Sequence, residues 1–259
     1  MLEREYSYKK LARFALLRIE RLHDMHFEND ESFKVGSHVM STCPFEFDFP
    51  DFKNSTPQER WDFLFNFRDA INAHWKYLER DKSSEEIFRL AKWMVKDVGG
   101  INRNLDSTLR RYVQQAQGGG IQTKNDKLSS YTKVLAAKDR YAYQILDTRV
   151  AAALNILQLD FFEDSKYYFD VTNSSNNSVK YFNENYPRKA FQSIGYLNTY
   201  KANKVSTYKL YTDLVNEMAR IAKQDALKIE AMLFAYSLIM IEDIGEIKEK
   251  YAIAVERQE

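Results

Sequence analysis

Cysteine is almost missing: Cys43 is the single one in 259 residues. A lone thiol excludes an intramolecular disulfide and any cysteine-rich zinc or iron–sulfur site. With Pro44 beside it and no evident base partner in sequence, Cys43 reads as a small buried residue. Proline (4) and glycine (8) are also scarce. That suits long helices better than a sandwich built from many tight turns. No run approaches the ~18 apolar residues of a membrane span; Leu233–Ile241 is apolar but short, and acidic residues follow it. The opening Met1-Leu2-Glu3-Arg4-Glu5 is charged and has no apolar stretch behind it, so no secretory signal is predicted and the cytoplasm is the expected compartment.

Several chemistries lack their residues. Gly118-Gly119-Gly120 has neither the spacing nor the lysine of a phosphate-binding loop, and Gly99-Gly100 has no third glycine for a dinucleotide fingerprint. There are four histidines, His23, His26, His38 and His74. His23 and His26 sit three apart near a predicted helix end, where a solvated or cationic histidine is the ordinary explanation, and no metal site is expected.

What is present is globular in composition: 44% hydrophobic, 29% charged and 14% aromatic residues. The length allows one large helical unit, or two intimate subdomains at about 1–100 and 101–259. The net charge is only +1, but residues 101–149 hold nine Lys/Arg against four Asp/Glu, and residues 180–228 hold the same numbers. Residues 229–259 reverse the balance, with three against seven. Two basic segments in a neutral chain form an anion-binding face if the fold joins them; otherwise they are solvated helix surface.

Periodicity predicts a mainly α fold with a short extended arm near the amino terminus. Leu11, Ala15, Ile19 and Leu22 mark a first helix over 5–24. Phe45, Phe47 and Phe49 alternate with Glu46 and Asp48, which predicts a short strand or an extended arm turning aromatics inward. Thr56-Pro57-Gln58-Glu59 is a capping box with proline in the first turn, and Trp61, Leu64, Ile71, Trp75 and Leu78 continue the buried stripe. Ser83-Ser84-Glu85-Glu86 offers a second box, and Gly99-Gly100 ends that helix. Helices are further expected over about 104–117, over 128–137 and 147–158 with a turn at 138–144 between them, and from Val205 to about Ile241. Residues 163–187, rich in Asn, Ser and Tyr, read as a polar loop or insertion.

The segment that suggests chemistry is 129–151. Lys133 lies near the start of one predicted helix and Asp147 at the start of the next. Helix starts present free backbone amides, which favour anions such as a DNA phosphate. Thr132-Lys133-Val134-Leu135 followed by Ile145-Leu146-Asp147-Thr148-Arg149-Val150 resembles the 8-oxoguanine-glycosylase-fold branch of the helix-hairpin-helix DNA glycosylases, in its compact bacterial form. The resemblance covers about residues 128–155; Ser129, Ser130 and Tyr131 stand where that motif carries its hairpin glycines.

The resemblance implies a helix-hairpin-helix glycosylase-like fold, DNA as partner, and excision of a damaged or modified base with no metal or cofactor. Lys133 would be the amine nucleophile and Asp147 the catalytic carboxylate. A base must be flipped out of the duplex to be reached. Its departure leaves positive charge on the sugar, which a carboxylate stabilises, and a neutral amine can attack the sugar carbon to give a Schiff base and a route to strand cleavage. Lys138, Arg140 and Arg149 are candidate phosphate contacts. Tyr141 and Tyr143 are candidates to stack on the extruded base, and Gln144 to bond its edge. Relatives of this type acting on modified phage DNA imply a defence role. Each residue has a plainer reading: Lys133 as a solvated helix lysine, Asp147 as an ordinary cap, the tyrosines as core. The alternatives are a DNA-binding module without the reaction, or a helical protein-interaction subunit.

Overall fold

A computed structural model shows a mainly helical protein, with no β-strand among the described residues, which are 2–29, 33–118, 128–160, 169, 176–185 and 204–243. The helices are α1 (Leu2–His26), α2 (Ser37–Ser41), α3 (Pro57–Arg80), α4 (Ser84–Trp93), α5 (Asp106–Gln117), α6 (Leu128–Lys138), α7 (Thr148–Asp160), α8 (Asn177–Asn185), α9 (Lys204–Ala222) and α10 (Ala226–Glu242). The chain divides into two compact units, His26–Ile145 and Met1–Met25 with Leu146–Glu259. None of the described helices is long and apolar enough to cross a membrane.

In the unit His26–Ile145, α3 starts as its sequence dictates. Thr56 Oγ1 accepts from the Glu59 amide at 3.2 Å, and the Glu59 carboxylate accepts from the Thr56 amide at 2.7 Å. The buried face carries Trp61, Phe63, Phe67, Ile71, Trp75 and Leu78, while Leu64 is only half-buried. Phe63 and Phe67 displace Leu64 because the aromatic arm lies on that side. Phe45, Phe47 and Phe49 are half-buried and Glu46 and Asp48 exposed. Phe47 meets Phe67 at 5.2 Å between ring centres, and Phe45 meets Trp93 edge-on at 5.9 Å. The alternation thus marks an extended arm, not a strand; its rings are anchored by aromatic packing.

Ser83 is the N-cap of α4, but it does not make the expected box: its hydroxyl donates to Asp81 instead of taking a helix amide. Asp81, two residues back, offers a charged acceptor that competes with the helix end. After Trp93 the helix widens into a π turn, Met94–Val98. Helix α6 is buried along almost its whole length, from Ser130 to Ala137, and contacts α3, α4, α5 and the π turn. A helix buried all round is a core helix, and the small Ala136 and Ala137 let its neighbours come close.

In the other unit, α7 packs on α10, which also meets α8 and α9. The helical pattern from Val205 onward is two helices, broken where Lys223 takes φ +54° and Asp225 caps α10 through the Leu227 amide at 2.8 Å. Residues 177–185, expected within a polar loop, form α8. The Asn176 side chain caps it through the Val179 amide at 3.1 Å, and Val179 and Phe182 give it a buried face despite its polar composition. Residues 163–168, 170–175 and 186–187 of that expected loop lie outside the described residues. On α1, Leu11, Ala15 and Ile19 are buried, and His23 Nδ1 lies 2.8 Å from the Tyr236 hydroxyl, so His23 serves α1 packing.

Candidate functional site

Lys133 sits in the middle of the core helix α6 and is 7% exposed. Its amine donates to Ser129 one turn earlier, at 3.2 Å to Oγ and 3.4 Å to the carbonyl. Its stem runs against Gly99. A Cβ on Gly99 would fall 2.6 Å from Lys133 Cε, 2.7 Å from Cδ and 2.8 Å from the Val95 carbonyl oxygen. Only a glycine allows that approach. The backbone reaches this position through the π turn: the Gly99 amide donates to Met94 O at 3.1 Å and the Ile101 amide to Val95 O at 3.0 Å. A buried bond from Asn104 Nδ2 to Ser130 Oγ, 2.6 Å, then ties the following loop to the first turn of α6.

Asp147 is the N-cap of α7. Its Oδ1 accepts from the Arg149 and Val150 amides, both at 2.9 Å, and its carbonyl accepts from Ala151 at 3.0 Å. Among the described residues these two amides are the hydrogen-bond partners of its carboxylate, which leaves Oδ2 outside the cap.

Each of the three predicted phosphate contacts has an internal partner. Lys138 Nζ donates to the Ala116 carbonyl at 2.6 Å, satisfying the last turn of α5. Arg140 is 5% exposed and paired through two nitrogens with Asp69 of α3. Its guanidinium also lies 4.1 Å from the centre of the Tyr141 ring. Arg149 lies 4.6 Å from the centre of Phe234 on α10, and burial lowers its pKa, partly countered by the Asp147 charge.

The turn between α6 and α7 is organised by Asp139, whose Oδ1 accepts from the amides of Tyr141 at 3.0 Å and Ala142 at 3.2 Å. Tyr141 is 62% exposed, so its ring is not core, and its hydroxyl donates to Asp69 at 3.1 Å. Tyr143 is half-buried, and Gln144 is buried at 1% exposure.

Lys133, Lys138, Arg140, Tyr141, Tyr143 and Gln144 all belong to His26–Ile145, whereas Asp147 and Arg149 open the second stretch of the other unit. Four residues in this constellation escaped the reading of the sequence. Ser129, one helical turn before Lys133, was legible from its spacing. Gly99 had a signal only as a helix stop. Asp69 and Phe234 gave none, being far along the chain from the cations they hold. No family model, curated protein or solved structure matches this chain.

Proposed function

We propose that the chain is a DNA glycosylase that excises a damaged or modified base, with Lys133 as amine nucleophile and Asp147 as the carboxylate that stabilises charge on the sugar. The observation that carries the reading is the position of Lys133. Lysine is almost never placed at 7% exposure in a core helix unless it is paired or used. Here the amine is set against Ser129 by a glycine that admits its stem.

The chemistry follows from the residue types. The neutral Lys133 amine attacks C1′ of the sugar as the bond to the base breaks; the base leaves with the bonding pair and takes up a proton. Loss of the amine proton and opening of the sugar ring give a Schiff base, from which elimination breaks the 3′ phosphate ester. By the resemblance, Asp147 would be the carboxylate that stabilises the developing positive charge; two backbone amides orient it. Lys138, Arg140 and Arg149 shape the segment from within in this reading, since each already has an internal partner. The test is borohydride trapping on duplexes carrying oxidised, alkylated, deaminated and hypermodified bases, with an abasic control. A covalent band lost in Lys133→Gln places the amine at the sugar. Alkali-labile sites without a band mean a monofunctional enzyme. Neither signal on any duplex removes the reading, and with it a role against modified phage DNA.

The internal engagement of those three cations favours a second reading, a helical protein-interaction subunit. Absence of DNA binding at low salt, together with a protein partner that co-purifies stably, would establish it over the first.

A further inference from the structure

Among the glycines described, Gly99 is the one where a side chain would collide with a functional candidate. Gly36 has nothing within 4 Å of a notional Cβ, and Gly118 meets only its own helix carbonyls at 3.4 and 3.7 Å. The approach at Gly99 is also produced by an unusual local backbone. An ordinary α-helix would bond the Gly99 amide four residues back; here it bonds to Met94, five back. The wider turn carries Gly99 against α6, where it meets Cδ and Cε of Lys133 and not the amine itself.

A lysine stem has four rotatable bonds and loses most of its rotamer freedom when held. The amine bonds to Ser129, and the stem is confined where it passes Gly99. We infer that Gly99, presented by the π turn Met94–Val98, is a positioning residue for the Lys133 amine. It closes the stem into the one rotamer that sets Nζ beside Ser129. The chemical consequence rests on the proposed glycosylase reading; the geometric claim does not.

The experiment is competitive reductive methylation of the full chain with formaldehyde and cyanoborohydride, with each lysine read by peptide mass spectrometry. Wild type is compared with Gly99→Ala, Ser129→Ala and, as control, Gly36→Ala. In wild type, Lys133 reacts more slowly than the exposed lysines. Gly99→Ala raises its rate by about tenfold or more, because the stem is driven from its seat into open conformations, and Gly36→Ala leaves it unchanged. An unaltered Lys133 rate in folded Gly99→Ala overturns the inference. Should Gly99→Ala fail to fold, because its Cβ also meets the Val95 carbonyl oxygen, Ser129→Ala decides. A Lys133 rate that stays well below that of the exposed lysines shows that the stem is seated without the Ser129 hydroxyl, and a rate that rises to theirs overturns the claim. Trapping separates the two ideas. If wild type forms a covalent product, Gly99→Ala lowers kcat and shifts its pH profile while KM holds. If no duplex is trapped or made alkali-labile but the labelling changes, the seat stands and the glycosylase reading falls. If trapping is normal in both proteins and labelling is unchanged, the seat falls and the reading stands.

Discussion

Arg140 and Asp69 grip each other across 71 residues of sequence, Nε and Nη2 of the guanidinium donating to the two carboxylate oxygens, the second at 2.9 Å. The pair is lopsided: the arginine side chain is 5% exposed and the aspartate 47%. Removing the acid therefore strips a buried arginine of its ion pair. Asp69→Ala is expected to cost about 1–3 kcal/mol, below the range for a fully buried pair because water screens the acid. Urea melts measure it.

The same pair sets a pH dependence. The Asp69 carboxyl is held below its ordinary value, chiefly by the hydrogen bonds from Arg140, against some opposing burial. The stability it contributes is complete above the unfolded value of about 3.9 and is lost as pH falls through the lower folded value. Melts of wild type and Asp69→Asn should keep a constant gap from pH 7 down to about 5, and the gap should close below about pH 4.

Arg140→Gln distinguishes support from phosphate contact. A lost phosphate contact reduces the slope of log affinity against log salt by about 0.9. With Arg140 committed to Asp69, the variant is expected to melt earlier while the salt slope of any DNA binding stays within that margin. A slope reduced by a full contact would return Arg140 to the DNA.

Asp147 has a structural duty that must be separated from chemistry. Asp147→Ala loses both amide bonds at the start of α7 and should cost about 1 kcal/mol; Asp147→Asn retains a capping oxygen and should cost only a few tenths. Excision abolished in a stable Asp147→Asn would mark the carboxylate charge as the active feature. Equal activity in the asparagine variant and wild type would confine Asp147 to capping.

Asn155, fully buried on α7, exchanges both of its amide groups with the backbone of Phe169, at 2.8 and 2.9 Å. Its side chain does what a neighbouring strand would do. Asn155→Leu orphans one donor and one acceptor and is expected to destabilise by about 2–4 kcal/mol. Loss of protection at the Phe169 amide in hydrogen exchange would locate the damage.

Local rules were legible where the signal was local. The box at Thr56, the alternating phenylalanines and the α6–α7 turn all follow from spacing within a few residues. The outcome at 177–185 was obscured because polar composition outweighed two buried side chains, Val179 and Phe182. Ser83 misled because a capping box and a competing aspartate look alike until geometry chooses. The surroundings of Lys133 and Arg140 were hidden for another reason: burial and long-range partners depend on tertiary packing, which leaves no period in the chain. The motif singles out Lys133, but its burial against Gly99 leaves no mark in the sequence.

The division of the chain carries a consequence for its birth on the ribosome. Helix α1 is made before His26–Ile145, yet its unit is completed only by residues that follow the whole of that stretch. At about 5–20 residues per second, the wait is on the order of ten seconds. During it, the aromatic-rich middle can finish its own core while the opening helix, with Leu11, Ala15 and Ile19 still uncovered, has no companion. Helix α1 therefore waits for its partners while the intervening unit folds, and nascent α1 is the stretch where a chaperone would have work to do.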